Sequence, residues 1–289
     1  MTHITCTSPA KINLFLHVTG RRADGYHTLY TLMCRVKYGD GLEMRMGEKG
    51  LTVLCDHPEA PGGSNNSVYK AASLFYAHLG MDPEAWVRIE KKIPVGAGLG
   101  GGSSNAGTAL RLLNTYYDSP LTQQELMALG LKVGADVPFF ILEKNALAQG
   151  VGDVLKSVEL SIPYKVLILY PGRHVSTAWV YKNLNFNLTN GEKKNNNPHF
   201  FKPEGDFSPE KHLWNDLEAV TVKMVPEIDR IKESLMAYGA NGALMSGSGS
   251  SVFGLFSDEA KARHAYDRMT LAGKAAHEGW KVVLTEFMP

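Results

Sequence analysis

The sequence predicts an α+β protein built in α/β layers, on three observations. Strand-like and helix-like hydrophobic patterns alternate along the whole chain, as they do where sheets and helices pack in layers. The 289 residues suffice for one large domain or two of ordinary size. Near residue 156 the pattern starts afresh with "YKVLILYPG", a buried strand, so the expected division is 1–155 and 156–289. No internal repeat is visible.

In chain order, "AKINLFLHVTG" alternates apolar and polar residues and predicts a strand, followed by a turn in "RADGYHTL". "DGLEMRM" and "LTVLCD" read as a strand pair, and "APGGSNNS" as a loop ending in an N-cap. Val68, Ala71, Ala72, Phe75 and Leu79 then have helical spacing up to a stop at Gly80. "WVRIEKKIP" is a strand ended by Pro94, and "SSNAGTALRLLNTYY" a helix broken by Asp118-Ser119-Pro120. Thr122 and Glu125 stand at capping-box spacing ahead of a second helix. "ADVPFFILEKNALAQGVGDVL" is expected to return to strand and turn, and residues 187–207 read as a polar surface loop. "SPEKHLWNDLEAVTVKMVPEIDRIKESLMAYGA" predicts two helices split near Pro226. Two strands around a Ser/Gly turn in "ALMSGSGSSVFGLF", a helix in "DEAKARHAYDRMTLAG" and a strand in "KVVLTEFMP" complete the chain.

Composition narrows the class of partner. A formal net charge of +1 and the lack of any dense Lys/Arg run argue against nucleic acid. Three cysteines, Cys6, Cys34 and Cys55, form no CxxC pair, which fits a reducing, cytoplasmic setting. The apolar run "INLFLHV" is too short to span a bilayer and no signal peptide is visible, so no membrane is expected. A small ligand is the expected partner.

"PVGAGLGGGSSNAG" holds six glycines between Pro94 and Gly107, a costly arrangement that asks for a reason. A Walker A loop is excluded, because Gly102 stands where its Lys belongs. Gly96, Gly98 and Gly101 satisfy GxGxxG, with Asp118 downstream, but Asp118 leads into another helix and not out of a second strand. What remains is a strand entering a glycine loop and a helix leaving near Ser103. The first turn of such a helix offers free N–H groups and the positive end of its dipole, so the segment reads as a phosphate cradle. The hydroxyls of Ser103 and Ser104 add donors for phosphate or for a metal's water shell.

"KKIPVGAGLGGGSSNAG", "SPAKINLFLHVTG" and "GALMSGSGSSVFGLF", in the order they occupy, resemble the motifs of the GHMP kinases. "PAKINLFLHVTGRRADGYHTL", "GLGGGSSNA" and "GADVPFF" further resemble the branch acting on a methylerythritol that carries a cytidine diphosphate group, in the non-mevalonate route to isoprenoids. The resemblance implies a two-domain fold with its active site in the cleft between domains, ATP as phosphoryl donor and transfer to the substrate's 2-hydroxyl. Mg2+ is expected with ATP. The sequence shows no carboxylate cluster that looks like a metal cage, so phosphate oxygens and water are expected to hold the ion, with its protein ligands unassigned. Monomer and homodimer both stay open.

The same resemblance implies the site residues. Asp136 in "GADVP" would be the catalytic base and Lys11 in "AKIN" its partner, although an Asp there is otherwise a turn or cap residue and a Lys an exposed strand residue. The ammonium would keep Asp136 ionised and lower the proton affinity of the attacking hydroxyl. Tyr26 and His27 would hold the cytosine, Tyr181 would close its other side, and Asn13 and Thr177 would bond polar groups. Pro94, Val95, Gly96, Ala97, Gly98, Leu99, Gly100, Gly101, Gly102, Ser103, Ser104 and Asn105 would cradle the ATP phosphates. Asn66 and Lys91 resemble adenine-side positions, and Ser246, Gly247, Ser248 and Gly249 would line the cleft opposite the cradle. A mevalonate- or homoserine-type kinase is the alternative substrate class, and a non-catalytic nucleotide-binding regulator the alternative role. "DGYH" argues against the first, because those substrates carry no base to stack. Intact Lys11, Asp136 and glycine loop argue against the second.

Overall fold

Two long strands organise the chain in the computed structural model, which describes residues 2–184, 207–271 and 279–289. Strand β1 is Thr2–Arg21 and strand β2 is His27–Met46. Each runs through two compact units. One comprises Met1–Ala10, Gly39–Val95 and Gly100–Lys144; the other comprises Lys11–Tyr38, Gly96–Leu99 and Asn145–Pro289. The expected polar loop at 187–207 lies almost wholly outside the described residues.

In the first unit, β3 (Gly50–Cys55) and β4 (Glu84–Glu90) extend the sheet in the order β3-β4-β2. β2 and β3, expected as a pair, are therefore both neighbours of β4. The turn between them accounts for this. Gly47 and Gly50, at φ 82° and 92°, donate their N–H groups to the carbonyls of Glu84 and Pro83. That seats β4 between β2 and β3, antiparallel to one and parallel to the other.

Helix α1 (Ser67–Leu79) follows the predicted spacing, burying Val68, Ala71, Ala72 and Phe75, and stops at Gly80 in the left-handed region at φ 64°. Helix α2 (Gly101–Tyr116) packs on it through Ala106, Ala109, Leu110 and Leu113. Helix α3 (Gln123–Val133) starts with the expected capping box. Helix α4 (Val137–Leu142) stands where strand was expected. Its "VPFFI" is buried throughout, so no period distinguishes helix from strand. Pro138, at the first turn, decides for helix because the missing N–H costs nothing there.

In the second unit, β5 (Ala146–Gln149), β6 (Val154–Ser157) and β8 (Trp214–Asn215) join the inner halves of β1 and β2. A separate four-stranded sheet has the order β11-β7-β10-β9, from β7 (Lys165–Tyr170), β9 (Gly242–Met245), β10 (Val252–Phe256) and β11 (Lys281–Glu286). The buried run of β7 lies inside that sheet, as its continuous apolar character predicts. Helix α5 (Thr177–Lys182) follows β7. The helices α8 (Glu227–Ala237) and α9 (Glu259–Leu271) match expectation, α8 beginning after Pro226.

The first of the two helices expected over 208–240 is instead α6 (Pro209–His212), then β8, then α7 (Glu218–Thr221). "WND" leaves the helical path because its side chains bond elsewhere. Asn215 donates 2.8 Å bonds to the carbonyls of Met245 and Gly247, and Asp216 accepts the Val18 N–H at 2.7 Å.

On β11, Glu286 accepts from the ammonium groups of Lys165 and Lys37 at 2.7 and 2.5 Å, and these hold its carboxyl down at about 2. A depressed carboxyl stabilises the fold above its unfolded-chain value and loses that contribution as pH falls through about 2. Glu286→Gln should therefore lower the urea midpoint slightly at neutral pH, by an amount that shrinks as pH falls below 4 and as salt rises. Equal midpoint shifts at pH 3 and pH 7 would refute this.

Candidate active site

Three motifs far apart in sequence converge within the second unit. Lys11 and Asn13 lie two apart on β1, so both side chains leave the same face, and both are buried. Lys11 Nζ donates to Asn13 Oδ1 at 2.6 Å, and Asn13 Nδ2 donates to Thr31 Oγ1 at 2.8 Å. The Lys11 N–H donates to the Leu99 carbonyl at 3.0 Å, tying β1 to the glycine loop. Ser246 Oγ donates to the Gly98 carbonyl at 3.0 Å, and the Ser251 N–H to that of Ala97 at 3.2 Å. A Cβ on Gly247 would lie 3.4 Å from Asn13 Oδ1 and 3.5 Å from Lys11 Nζ. The first motif, the middle of the second and the third thus form one constellation.

Glycine is required at two of these loop positions. Gly98, at φ 78°, would put a Cβ 2.2 Å from the Ser246 carbonyl oxygen. Gly96, at φ 63°, would put one 2.0 Å from the ring of His174. His174 and the pair Asn215-Asp216 escaped the sequence reading. Nothing in "PGRHVST" or "LWNDLE" sets them apart from loop and helix residues.

The outgoing half of the loop belongs to the first unit. Gly100 caps α2 at φ 73°, and the Ser104 N–H bonds to its carbonyl at 2.8 Å. The helix therefore starts at Gly101, two residues before the expected Ser103. Gly101, Gly102 and Ser103 have no earlier carbonyl within the helix to bond, so their N–H groups can serve an anion. The two serines differ. Ser104 is fully buried and shares its hydroxyl with Ser8 at 2.7 Å, whereas Ser103 is half-buried. Asn105 is buried, with no partner for its Oδ1 among the described residues. Ser67, which the sequence offered only as an N-cap, stands next to Gly102, its Oγ 3.6 Å from where a Cβ would be.

Asp136 is set against this same helix. Gly107 of α2 lets α4 come so close that a Cβ would meet Phe140 Cβ at 2.8 Å and the Val137 carbonyl at 3.1 Å. Gly134 is likewise 3.7 Å, by its would-be Cβ, from Ser103 Oγ. Asp136 precedes α4 but makes no side-chain cap to it. Of the expected adenine-side residues, Asn66 caps α1, accepting from the Val68 N–H and donating to the Pro61 carbonyl, both at 2.9 Å. The Lys91 side chain is nearly enclosed, its ammonium on the fully buried Asp40.

In the second unit, "ADGYH" forms the expected sharp turn, with Gly25 at φ 90° and Tyr26 66% exposed. The Tyr26 N–H and, to a lesser degree, Arg22 hold the Asp24 carboxyl below its usual value. His27 stacks on Tyr181, centroids 5.4 Å apart and planes 24° apart. Burial, reinforced by Arg21, lowers the His27 pKa and favours its neutral ring. The Thr177 and Ser248 hydroxyls are 2.8 Å apart. Among the described residues no three His, Cys, Asp or Glu side chains are grouped to hold a metal.

The chain is similar to known proteins over nearly its whole length. The family model described as the GHMP kinases N terminal domain matches residues 66–144, and that of the GHMP kinases C terminal matches 208–275. A 4-diphosphocytidyl-2-C-methyl-D-erythritol kinase from Geobacter strain M21 is 45% identical over 92% of this chain and 94% of its own. One from Syntrophotalea carbinolica is 44% identical over 96% and 97%. A crystal structure of 4-(cytidine 5'-diphospho)-2C-methyl-D-erythritol kinase superposes with a TM-score of 0.78 at 33% identity, covering 98% of this chain and 99% of its own. A homoserine kinase from Cytophaga hutchinsonii, at TM-score 0.70 and 17% identity over 99% and 95%, shares the fold.

Proposed function

Because this chain belongs to the GHMP kinases, and among them to the 4-diphosphocytidyl-2-C-methyl-D-erythritol kinase family, we propose that it transfers the γ-phosphoryl of ATP to the 2-hydroxyl of 4-diphosphocytidyl-2-C-methyl-D-erythritol. The observation that carries this reading is the constellation of Lys11, Asn13, Gly98, Ser246 and Gly247. It supports a buried cation and amide brought to a glycine loop shaped for phosphate.

Asp136 is the base that accepts the hydroxyl proton as the oxygen attacks phosphorus. Lys11 assists by stabilising the developing alkoxide. The N–H groups of Gly101, Gly102 and Ser103 and the Ser103 hydroxyl receive the phosphates. Asn66 and Lys91 flank the adenine side. Mg2+ would be held by the ATP phosphate oxygens and water, with the Ser103 hydroxyl available to its water shell, and would supply charge neutralisation for the transferring group. The three cysteines without disulfides fit a cytoplasmic setting.

An ADP-coupled assay tests the reaction. Turnover with the diphosphocytidyl substrate is expected; none with it, alongside turnover of mevalonate or homoserine, would overturn the reading.

Tyr26, the exposed ring of the turn, and the His27–Tyr181 stack are assigned to the cytosine. Base–aromatic stacking contributes about 1–3 kcal/mol. Tyr26→Ala should raise KM for the diphosphocytidyl substrate about 5- to 150-fold, with kcat and the KM for ATP nearly unchanged. Steady-state kinetics that leave the substrate KM as it was would remove Tyr26 from the site.

A further inference from the structure

The proposed chemistry makes no use of Asp40, yet its carboxylate is the most enclosed on the glycine-loop side of the first unit. Asp40 is fully buried on β2. Its Oδ1 accepts the N–H groups of Lys92 and Ile93, each at 2.7 Å, and its Oδ2 holds the ammonium of Lys91. Burying a carboxylate is expensive unless donors and an opposite charge compensate it. Three donors from consecutive residues do so here, and they fix the chain just before Pro94.

The same ammonium reaches the other end of the loop. A Cβ on Gly101, the first residue of α2, would lie 3.0 Å from Lys91 Nζ and 3.0 Å from Ile93 Cγ2. Lys91 therefore sits against the start of the helix whose N–H groups are assigned to phosphate. A lone cation is disfavoured at that positive end of the dipole, and the Asp40 charge offsets it. Lys91, Ile93 and Gly101 bracket a stretch that includes Gly96, Gly98 and Gly100, all at positive φ.

We propose that Asp40 is a positioning residue for nucleotide binding: one buried carboxylate pins both ends of the phosphate loop, the incoming end through backbone N–H groups and the outgoing end through Lys91. This rests on the reading of the loop as the ATP cradle.

Asp40→Asn keeps the side-chain shape and one acceptor oxygen while leaving the Lys91 ammonium without a counter-charge. Two measurements on the full chain separate pinning from plain structural support. The first is native-state amide exchange. The second is titration with a non-hydrolysable ATP analogue and, separately, with cytidine diphosphate. The expected result is faster exchange at Lys92 and Ile93 and also at Ser104 and Asn105, with the ATP analogue bound about tenfold more weakly and cytidine diphosphate bound as before. Exchange that quickens at 92 and 93 alone, or analogue affinity that stays equal or tightens, would overturn the proposal. If Asp40→Asn does not fold, Asp40→Glu, which keeps the charge and displaces the oxygens by one methylene, is judged by the same criteria. If the unaltered chain fails to bind the analogue, the kinase reading falls, and the exchange pattern still decides whether Asp40 couples the two ends.

Discussion

Asp136→Asn is expected to lower kcat by about 10²- to 10⁴-fold, the usual contribution of a positioned general base, with both KM values within a few-fold of the original. Asn has the size of Asp and cannot accept the proton. Asp136 makes no side-chain cap to α4, so that helix loses no capping hydrogen bond. Lys11 needs a different choice of variant. Its ammonium donates to Asn13 Oδ1 in a buried site, and an orphaned acceptor costs about 1–3 kcal/mol, so Lys11→Ala should lose stability as well as turnover. Lys11→Met orphans the same acceptor but keeps most of the packing volume, so it spares the added cavity cost of alanine and should show the catalytic loss more cleanly. Groups that act on one proton transfer are not additive. The double variant Asp136→Asn, Lys11→Met should therefore fall little below the worse single one. Thermal melts and single-turnover assays check both parts. Full turnover in either single variant would refute its assigned role, and strict additivity would refute the shared one.

The readable parts of the fold were those where a local cause acts alone. Gly80 ends α1 because the left-handed position asks for glycine, and Thr122 with Glu125 starts α3 because both members of the box lie within four residues. The glycine loop was legible as a turn from strand to helix for the same reason, but the close approaches that use Gly96, Gly98 and Gly107, to His174, the Ser246 carbonyl and Phe140, were not. Failures came where distant partners override a local pattern. "LWNDLE" has helical composition, but Asn215 and Asp216 bond β1 and the third motif, 30 residues or more away. "DVPFFIL" lost its period because its "VPFFI" is buried on every face. The units interleave because β1 and β2 are each long enough to run through both, a feature no linear boundary signal marks. Within the site, residue types were legible and orientations were not. Ser103 and Ser104 look equivalent in sequence, yet the turn of the helix sends Ser104 inward to Ser8. The His27–Tyr181 stack joins residues more than 150 positions apart.

Two glycines of one loop should respond to alanine in opposite ways, and this separates what the fold demands from what the ligand demands. Gly98→Ala puts a Cβ 2.2 Å from the Ser246 carbonyl oxygen and 3.1 Å from both the N and O of Gly249, at φ 78°. Backbone blocks backbone there, so no rotamer relieves it, and the left-handed conformation itself costs about 1–2 kcal/mol for an L-residue. The loop must move away from the third motif, and a displacement of about 1 Å at a reacting centre costs about 10²-fold. Gly98→Ala should thus lose stability and at least that much kcat/KM for ATP. Gly102→Ala meets nothing closer than Ser67 Oγ at 3.6 Å, on helical backbone. By itself the fold has no need of glycine at 102. Alanine there should raise stability by about 0.4–1 kcal/mol through the unfolded chain. It should nevertheless weaken ATP, because the new methyl stands beside the N–H groups assigned to phosphate. Melting curves and ATP titrations on the two variants check this. A Gly102→Ala protein that is both more stable and fully able to bind ATP would move the phosphates away from the start of α2.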